Sequence, residues 1–389
     1  MTPPPANAST DEKLFPVLSS FPDDHRGSPL PTLSMITTRI MELRKRRGLM
    51  IALVAVDIGL PAIFLTIRLI SHAVSPKSFA PAGGYDIFTN LVAGVMFIFG
   101  FIIAATLGCT AGSVDLSEGV FRHLVVTGRS RAALYFARIP AGLAILVPIV
   151  LVGFTIVCAV CVFAAPSKLN YDGLTVPASL SKPELISWAE ESTNAGNVVC
   201  AFNYQGPINV PLPCGPNGGV IIKGGPGQPP ATATATATKA QIEALAGTIA
   251  AEDYADYHNN FLSPPFKLMV QSLLWLELET TIGFMVGLGL ASLMGQRTVP
   301  VVLMIILEIV LTPLLATARI AHLINFQRAL VGLAAAHVEP NGLPTVFAHG
   351  GGGGGGLIPE STLLASLVIV AWLVVWTALG AWRMSRRDV

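Results

Sequence analysis

The stretch GSVDLSEGVFRHLVVTGRSR, residues 112–131, separates two long apolar runs and indicates how the rest of the chain is arranged. It contains two acids and three arginines, whereas only 12% of the whole chain is charged and 52% is hydrophobic. Soluble domains carry about 25% charged residues. A short charged stretch between apolar runs is typical of a loop that joins two membrane-spanning helices.

Six apolar windows are close to the length of about 20 residues that a helix needs to cross the hydrocarbon core of a bilayer. We predict an all-α polytopic membrane protein with six transmembrane helices. They cover residues 49–70, 87–109, 139–164, 266–294, 299–317 and 357–382. The first 31 residues are rich in Pro, Ser and Asp, and we expect them to form a disordered tail.

Lysine and arginine residues are concentrated on one side of these predicted helices. On that side are Arg39, Arg44, Lys45, Arg46, Arg47, Arg122, Arg129, Arg131, Arg138, Arg297, Arg383, Arg386 and Arg387. The much longer loops on the other side hold only seven basic residues. Because basic loops remain in the cytoplasm, we predict that both termini and the loop 110–138 are cytoplasmic. Residues 165–265 then form one large external loop.

Residues 32–48 precede the first predicted span and have helical periodicity. Leu33, Ile36, Ile40 and Leu43 recur at helical spacing, with basic residues between and after them. This pattern predicts an amphipathic interface helix whose basic side faces anionic lipid headgroups. An ordinary basic anchor before a span is the alternative interpretation.

The external loop 165–265 contains two helix signals and a region rich in proline and glycine. Residues 181–184, SKPE, have capping-box spacing and predict the start of a short helix. Residues 198–219 predict short strands and turns, and a second helix is expected at 239–260. We interpret the loop as a small, partly ordered external cap, because it contains no pattern of an enzyme domain.

Cys200 and Cys214 both lie in this predicted external loop, where oxidising conditions favour a disulfide between them. Cys158 and Cys161 lie inside an apolar helix, so we interpret their C-x-x-C spacing as structural. The sequence lacks GxxxxGK[ST], HExxH and GxSxG, and its histidines are scattered. It therefore predicts no enzyme active site, no metal site and no cofactor bound by this chain. The segregation of basic residues by membrane side gives no indication of nucleic-acid binding.

Four acids lie within the predicted spans, namely Asp57, Glu277, Glu279 and Glu308. Ionisable groups at such depth are costly and by default face the protein interior or a watery cavity. They could form a proton or cation relay or line a substrate path. Interhelical hydrogen bonding by partly protonated carboxyl groups is the other interpretation. Asp57 and Glu308 are each about nine residues from the cytoplasmic end of their helix, so they could share a site.

The opening stretch itself has the pattern of a helix, a tight turn and a second helix. Asp115 and Glu118 have the D-x-x-E spacing of a capping box and predict a helix start near Leu116. Gly128 can end that helix, and Ser130 can cap the helix that continues into the third span. A loop of this build suits docking onto a partner, and a well-capped connector is the alternative.

Residues 118–138, EGVFRHLVVTGRSRAALYFAR, resemble the cytoplasmic loop in permease subunits of type-2 ATP-binding-cassette (ABC) exporters. Such loops commonly read E-x-G-T or E-G-T, then a leucine-rich turn, P-x-S-R and a basic residue at the start of the third span. The residues that fit are Glu118, Gly119, Leu124, Ser130, Arg131 and Arg138. Val120 and Gly128 stand where Thr and Pro are usual. The amphipathic helix, the six spans and short outer helices before the last span extend the resemblance.

The resemblance implies a permease subunit in the plasma membrane of a prokaryote that exports a substrate with the help of a separate ATPase subunit. ATP and Mg would bind in that ATPase subunit. The permease would pair with a second copy or a paralogue and would contact membrane lipids. The ATPase-coupling loop would comprise Asp115, Glu118, Gly119, Arg122, Leu124, Ser130 and Arg131.

Two other functions remain open from the sequence. A secondary transporter could couple transport to protons or cations through Asp57, Glu277, Glu279 and Glu308. A membrane sensor could bind a ligand with its external cap. The external loop is longer than is usual in the ABC permease family, and the chain has no obvious inverted repeat of the kind found in many secondary transporters.

The predicted topology can be tested by cysteine labelling in a variant that lacks the five native cysteines. A cysteine at Thr236 should react with an impermeant maleimide added to intact cells, because the external loop is exposed to the medium. A cysteine at Ser130 should react only after the membrane is permeabilised. The reverse pattern would contradict the orientation that the basic residues predict.

Overall fold

The computed structural model describes residues 30–75, 79, 81–117, 130–165, 168–171, 174–177, 180–201, 238–255, 257, 263–317, 322–343 and 359–386. This part of the chain is mostly helical and contains six helices long and apolar enough to cross a membrane. We call them spans 1 to 6, and they are Arg47–Val74, Tyr85–Asp115, Arg131–Phe163, Phe266–Met294, Thr298–Ala316 and Thr362–Arg386. The number and approximate positions of the predicted spans are confirmed.

The first half of the chain forms the interface helix and spans 1 to 3. Helix α1 (Leu33–Lys45) precedes span 1, which consists of α2 (Arg47–Val54), a π-helical turn (Ala55–Gly59) and α3 (Leu60–Val74). Span 2 consists of α4 (Tyr85–Asn90), a π-helical turn (Leu91–Met96) and α5 (Phe97–Ser117). Span 3 consists of α6 (Arg131–Phe136) and α7 (Arg138–Phe163). The helix predicted for residues 32–48 is therefore present.

The second half contains the segment between spans 3 and 4, followed by spans 4 to 6. That segment comprises strands β1 (Lys168–Tyr171) and β2 (Leu174–Pro177) and helices α8 (Lys182–Glu190), α9 (Ala195–Ala201) and α10 (Lys239–Glu252). Span 4 is α11 (Phe266–Met294), and span 5 consists of α12 (Thr298–Ile305), a π-helical turn (Ile306–Leu311) and α13 (Thr312–Thr317). Short helices α14 (Ile324–Arg328) and α15 (Val331–Ala336) precede span 6, which is α16 (Thr362–Arg386).

Spans 2 and 4 form the centre of the bundle. In each, 67% of the apolar window is buried, against 22% in span 1 and 17% in span 6. Glycines allow the two central helices to approach closely. A Cβ atom at Gly108 would overlap the carbonyl oxygen of Phe284, and one at Gly287 would lie 2.8 Å from the carbonyl oxygen of Ala105. Small residues at such crossings are the usual way in which membrane helices gain packing.

Helices α14 and α15 pack against spans 5 and 6. All six residues of α15 are buried. The Gln327 Nε2 donates to the carbonyl oxygen of Leu315 at 2.8 Å, and the Trp372 Nε1 donates to that of Ala329 at 2.7 Å. The short helices expected before the last span are thus present, and they are packed into the bundle.

The segment between spans 3 and 4 has a small apolar core of its own. Leu185, Val198 and Ile249 come from three different helices and are buried in one cluster. The Tyr257 hydroxyl donates to the carbonyl oxygen of Pro177 at 2.5 Å and accepts from the Leu180 backbone amide at 3.1 Å. Tyr257 therefore connects strand β2 to the residues that lead into α8.

Two predictions for this segment can be compared with the structure. The capping box of Ser181 and Glu184 is confirmed, since the Ser181 backbone amide donates to Glu184 at 2.8 Å. Strands were expected within residues 198–219, but the first of these residues belong to helix α9, and an antiparallel pair lies earlier, with Lys168 opposite Pro177. The apolar face of α9 packs into the small core, which overrides the local turn signal. Residues 202–219, including Cys214, lie outside the described residues, as do residues 1–29 of the predicted tail 1–31.

The contact between spans 2 and 4 predicts a large difference between two glycine substitutions. Gly108→Ala should lower the melting temperature of the purified protein clearly, because overpacking at a tight helix crossing costs about 1–3 kcal/mol. Gly94→Ala is the matched control, since a Cβ atom there meets no atom within 4 Å. Equal melting temperatures for the two variants would show that spans 2 and 4 do not cross at Gly108.

Candidate functional site

Asp115 occupies the last turns of span 2 and does not cap a helix. Helix α5 continues through Ser117, so Asp115 is not the N-cap residue that the D-x-x-E spacing predicted, and residues 118–129 lie outside the described part of the chain. The side chain of Asp115 is only 2% exposed. The D-x-x-E pattern was misleading because the carboxylate of Asp115 is occupied by two arginines that lie far away in the sequence.

Both oxygens of the Asp115 carboxylate accept hydrogen bonds. Arg39 Nη1 donates to Oδ1 at 2.8 Å and Nη2 donates to Oδ2 at 2.6 Å, which is a bidentate pair. Arg138 Nη2 donates to Oδ2 at 2.5 Å, and its Nη1 donates to the carbonyl oxygen of Gly112 at 3.1 Å. Because Arg138 is also only 2% exposed, the pair is fully withdrawn from water.

A second acid balances the charge of this cluster. Arg39 Nη1 also donates to Glu42 Oε2 at 2.6 Å. The two arginines and two acids thus cancel, as buried ions require. Burial acts to lower the pKa of Arg39, but the hydrogen bonds and Coulomb attraction to Asp115 outweigh it, so that this pKa is raised. We call Arg39, Glu42, Asp115 and Arg138 the Asp115 network.

The Asp115 network joins three elements. Arg39 belongs to α1, Asp115 to the end of span 2, and Arg138 to the start of α7 in span 3. Spans 2 and 3 flank residues 118–129, which contain three of the six residues that fit the resemblance, Glu118, Gly119 and Leu124. Helix α1 is therefore fixed to both ends of the connection between these two spans.

The start of span 3 has two further links. The Ser130 Oγ accepts from the Ala133 backbone amide at 3.1 Å, which confirms the predicted helix cap. Arg131 Nη1 donates to the carbonyl oxygen of Ser385 at 3.2 Å, near the end of span 6. Helix α1, the end of span 2, the start of span 3 and the end of span 6 consequently lie on the same side of the bundle, which we call the basic side. Glu118, Gly119, Arg122 and Leu124 lie outside the described residues.

The sequence contained a signal for Arg39 that the initial interpretation missed. Arg39 is three residues after Ile36 and four before Leu43, so it lies on the apolar face of α1 and not on the basic face. Leu43 is indeed buried in the bundle core. An arginine on the buried face of an amphipathic helix needs an acidic partner, and Asp115, at the end of an apolar run, is such an acid.

The first of two acidic clusters, which contains Asp57 and Glu277, lies between spans 1 and 4. Asp57 is in the π-helical turn of span 1 and is 3% exposed, and its Oδ2 has no hydrogen-bond partner among the described residues. A Cβ atom at Gly153 would overlap the carbonyl oxygen of Asp57, and one at Gly100 would lie 3.5 Å from Oδ1. Glu277 of span 4 is close enough to Asp57 to interact electrostatically.

The second acidic cluster contains Glu279, Glu308 and Glu339. It lies between span 4, span 5 and the short helix α15. Glu308, in the π-helical turn of span 5, is 2% exposed, and both carboxyl oxygens lack a hydrogen-bond partner among the described residues. A Cβ atom at Gly332 would overlap this carboxyl group. Glu279 lies within electrostatic range of both Glu308 and Glu339. Burial raises the pKa of Glu339 to about 8, so this carboxyl group is mostly protonated at neutral pH.

The structure divides the four predicted intramembrane acids differently from the sequence interpretation. By their similar depth, Asp57 and Glu308 could have shared a site, but the electrostatic neighbour of Asp57 is Glu277, whereas that of Glu308 is Glu279. Similar depth is not enough to bring two residues together, because the helices of spans 1 and 5 present them to different neighbours. Within the described part of the chain, no three His, Cys, Asp or Glu side chains are grouped as metal ligands.

The cysteines fall into two groups. Cys109, Cys158 and Cys161 are free thiols within spans 2 and 3. The C-x-x-C spacing of Cys158 and Cys161 accordingly forms no disulfide here. The predicted pairing of Cys200 with Cys214 lies outside the part of the chain whose side chains are described.

Comparison of the chain with protein-family models, with curated proteins and with solved structures gave no match. The functional argument therefore depends on the geometry of these sites and on the resemblance of residues 118–138.

The Asp115 network predicts a strong dependence of stability on Asp115. Asp115→Asn should destabilise the protein by about 3–5 kcal/mol, because it leaves the buried guanidinium group of Arg138 without a counter-charge and that of Arg39 with Glu42 alone. Glu42→Gln is the control, since Glu42 is 35% exposed and such a pair contributes little. Thermal unfolding in detergent would measure both, and an unchanged midpoint for Asp115→Asn would show that the network does not hold α1 on the bundle.

Proposed function

We propose that this chain is the membrane-spanning permease subunit of an ABC transporter, which exports a substrate across the plasma membrane of a prokaryote. A separate ATPase subunit would bind ATP and Mg and dock onto residues 118–129. The observation that supports this proposal best is the Asp115 network, which fixes the interface helix to both spans that flank the proposed docking loop.

The network suits the transmission of force from such a loop. A displacement of residues 118–129 acts on span 2 through Asp115 and on span 3 through Arg138. Asp115 binds Arg39 directly, and Arg138 is linked to Arg39 through Asp115. Helix α1 therefore moves with both spans. The bond from Arg131 to Ser385 extends the moving unit to span 6. A buried ion cluster held by several charge-assisted hydrogen bonds is stiff, so the displacement reaches the spans and is not absorbed in the loop.

Spans 1, 5 and 6 are the members of the bundle that would face lipid and a second permease copy. Their outward surfaces carry large apolar side chains, such as Ile63 at 63% exposure, Val310 at 52% and Leu367 at 56%. Apolar surface of this kind is stable against acyl chains or against another membrane helix. A homodimer or a pair with a paralogue would cover part of it.

The proposal is tested by purifying the chain from its native membrane and reconstituting it in proteoliposomes. A P-loop ATPase subunit should copurify, and the complex should hydrolyse ATP in a vanadate-sensitive manner. Gly119→Trp should preserve insertion and folding but lower this ATPase activity at least tenfold, because a large side chain blocks close approach of the ATPase surface. Val126→Ala, in the same loop, should have little effect.

Two results would contradict the proposal. One is a preparation from native membranes that transports but contains no ATPase subunit. The other is Gly119→Trp with unchanged ATPase activity and unchanged copurification, since residues 118–129 would then serve only as a connector.

A secondary transporter driven by protons or cations is the second candidate. It is favoured by Asp57 and Glu308, which lie in π-helical turns and have buried carboxyl oxygens without partners among the described residues. π-helical turns are frequent at functional sites. For a substrate found by screening, Asp57→Asn and Glu308→Gln should abolish proton-driven transport. Transport that survives vanadate but stops with an uncoupler would establish this candidate in place of the first.

A further inference from the structure

A cavity of about 540 Å³ lies on the basic side, between the start of span 1, the second half of span 2 and the start of span 5. Its polar lining consists of three arginines and three threonines, namely Arg46, Arg47, Arg297, Thr106, Thr110 and Thr298. No Asp or Glu belongs to its described lining. None of these residues belongs to the Asp115 network or to the two acidic clusters described above. We call it the basic cavity.

Two of the three arginines of the basic cavity have no acidic partner in the described part of the chain. Arg47 and Arg297 form no ion pair with any described residue. By contrast, Arg39 and Arg138, on the same side of the bundle, share the carboxylate of Asp115. Three guanidinium groups around one concave site raise the local concentration of anions. Guanidinium groups also match the oxygen geometry of phosphate, to which they can donate two parallel hydrogen bonds.

Two helix starts reinforce this charge. Arg46 and Arg47 begin α2, and Arg297 and Thr298 begin α12. Neither helix start has a side-chain cap, so amide groups of the first turns remain available as donors. The positive ends of both helix dipoles therefore add to the arginine charges at the rim of the cavity.

The remaining lining is apolar and extends toward the hydrocarbon core. Leu49, Val301 and Val302 lie on spans 1 and 5, and Val302 is 48% exposed. Thr106 lies on span 2, about 13 Å along the helix from Asp115 at 1.5 Å per residue. The cavity thus has a charged rim and an apolar wall that continues along the spans. A soluble anion would use only the rim, whereas an amphiphile would use both parts.

We propose that the basic cavity binds the phosphate headgroup of an anionic phospholipid, with the beginning of its acyl chains against Leu49, Val301 and Val302. The lipid comes from the leaflet on the basic side, where clustered Arg residues attract anionic headgroups. Its phosphate bridges Arg46 and Arg47 of span 1 and Arg297 of span 5, which joins two peripheral spans that the Asp115 network does not connect. This inference does not depend on the proposed function.

The test compares the full-length protein in nanodiscs of phosphatidylcholine alone and of phosphatidylcholine with phosphatidylglycerol of the same acyl chains. The melting temperature should rise with phosphatidylglycerol. Arg47→Gln combined with Arg297→Gln should melt like the original protein in phosphatidylcholine but lose the rise. Native mass spectrometry should show at least a tenfold loss of phosphatidylglycerol binding. Arg44→Gln combined with Arg383→Gln removes the same charge from exposed positions outside the cavity and should retain binding within about twofold.

Three outcomes would overturn the inference. Equal melting temperatures of the original protein in the two lipid mixtures would show that no anionic lipid binds with stabilisation. An equal loss of binding in the Arg44 and Arg383 control would show that general surface charge is responsible and that the cavity is not. A rise produced equally by inorganic phosphate in phosphatidylcholine nanodiscs would identify a soluble anion as the ligand in place of a lipid.

Discussion

The burial of Asp115 is the constraint on which the arrangement of this side of the bundle depends. A carboxylate at 2% exposure is stable only with its charge balanced and its oxygens bonded, and Arg39 and Arg138 supply both. This requirement brings together three elements that are 76 and 23 residues apart in the sequence. It places α1 against spans 2 and 3, and it gives the loop between these spans a rigid base.

Tight crossing of spans 2 and 4 is the second requirement, and it is met by glycine. Lipid offers no hydrophobic driving force for helix association. Close van der Waals packing between the helices must therefore supply much of the favourable free energy of association. Positions such as Gly108 and Gly287 remove the side chains that would keep the helices apart. Spans 1, 5 and 6 lie around this centre, and most of their apolar surface remains exposed.

Charged groups in this protein fall into three environments with different consequences. In the Asp115 network, positive and negative groups cancel, which suits a structural joint. Around Asp57 and Glu308, buried carboxyl oxygens lack hydrogen-bond partners among the described residues, and each of these side chains has another acid nearby. In the basic cavity, arginines face a concave surface without acids in the described lining, which suits an anionic ligand.

The sequence by itself determined the six apolar helices, a helix before the first of them and the Ser130 cap, because hydrophobic length, helical periodicity and capping geometry are local properties. It also identified Asp57, Glu277, Glu279 and Glu308 as acids within the spans. Only the tertiary structure decided which of these acids are neighbours, since equal depth in two helices says nothing about which faces of the helices meet. The pairing of Asp115 with Arg39 and Arg138, in place of the predicted cap, was decided in the same way. A capping box needs only residues within one turn, whereas a buried ion pair is selected by the low dielectric environment that forms when distant helices pack together.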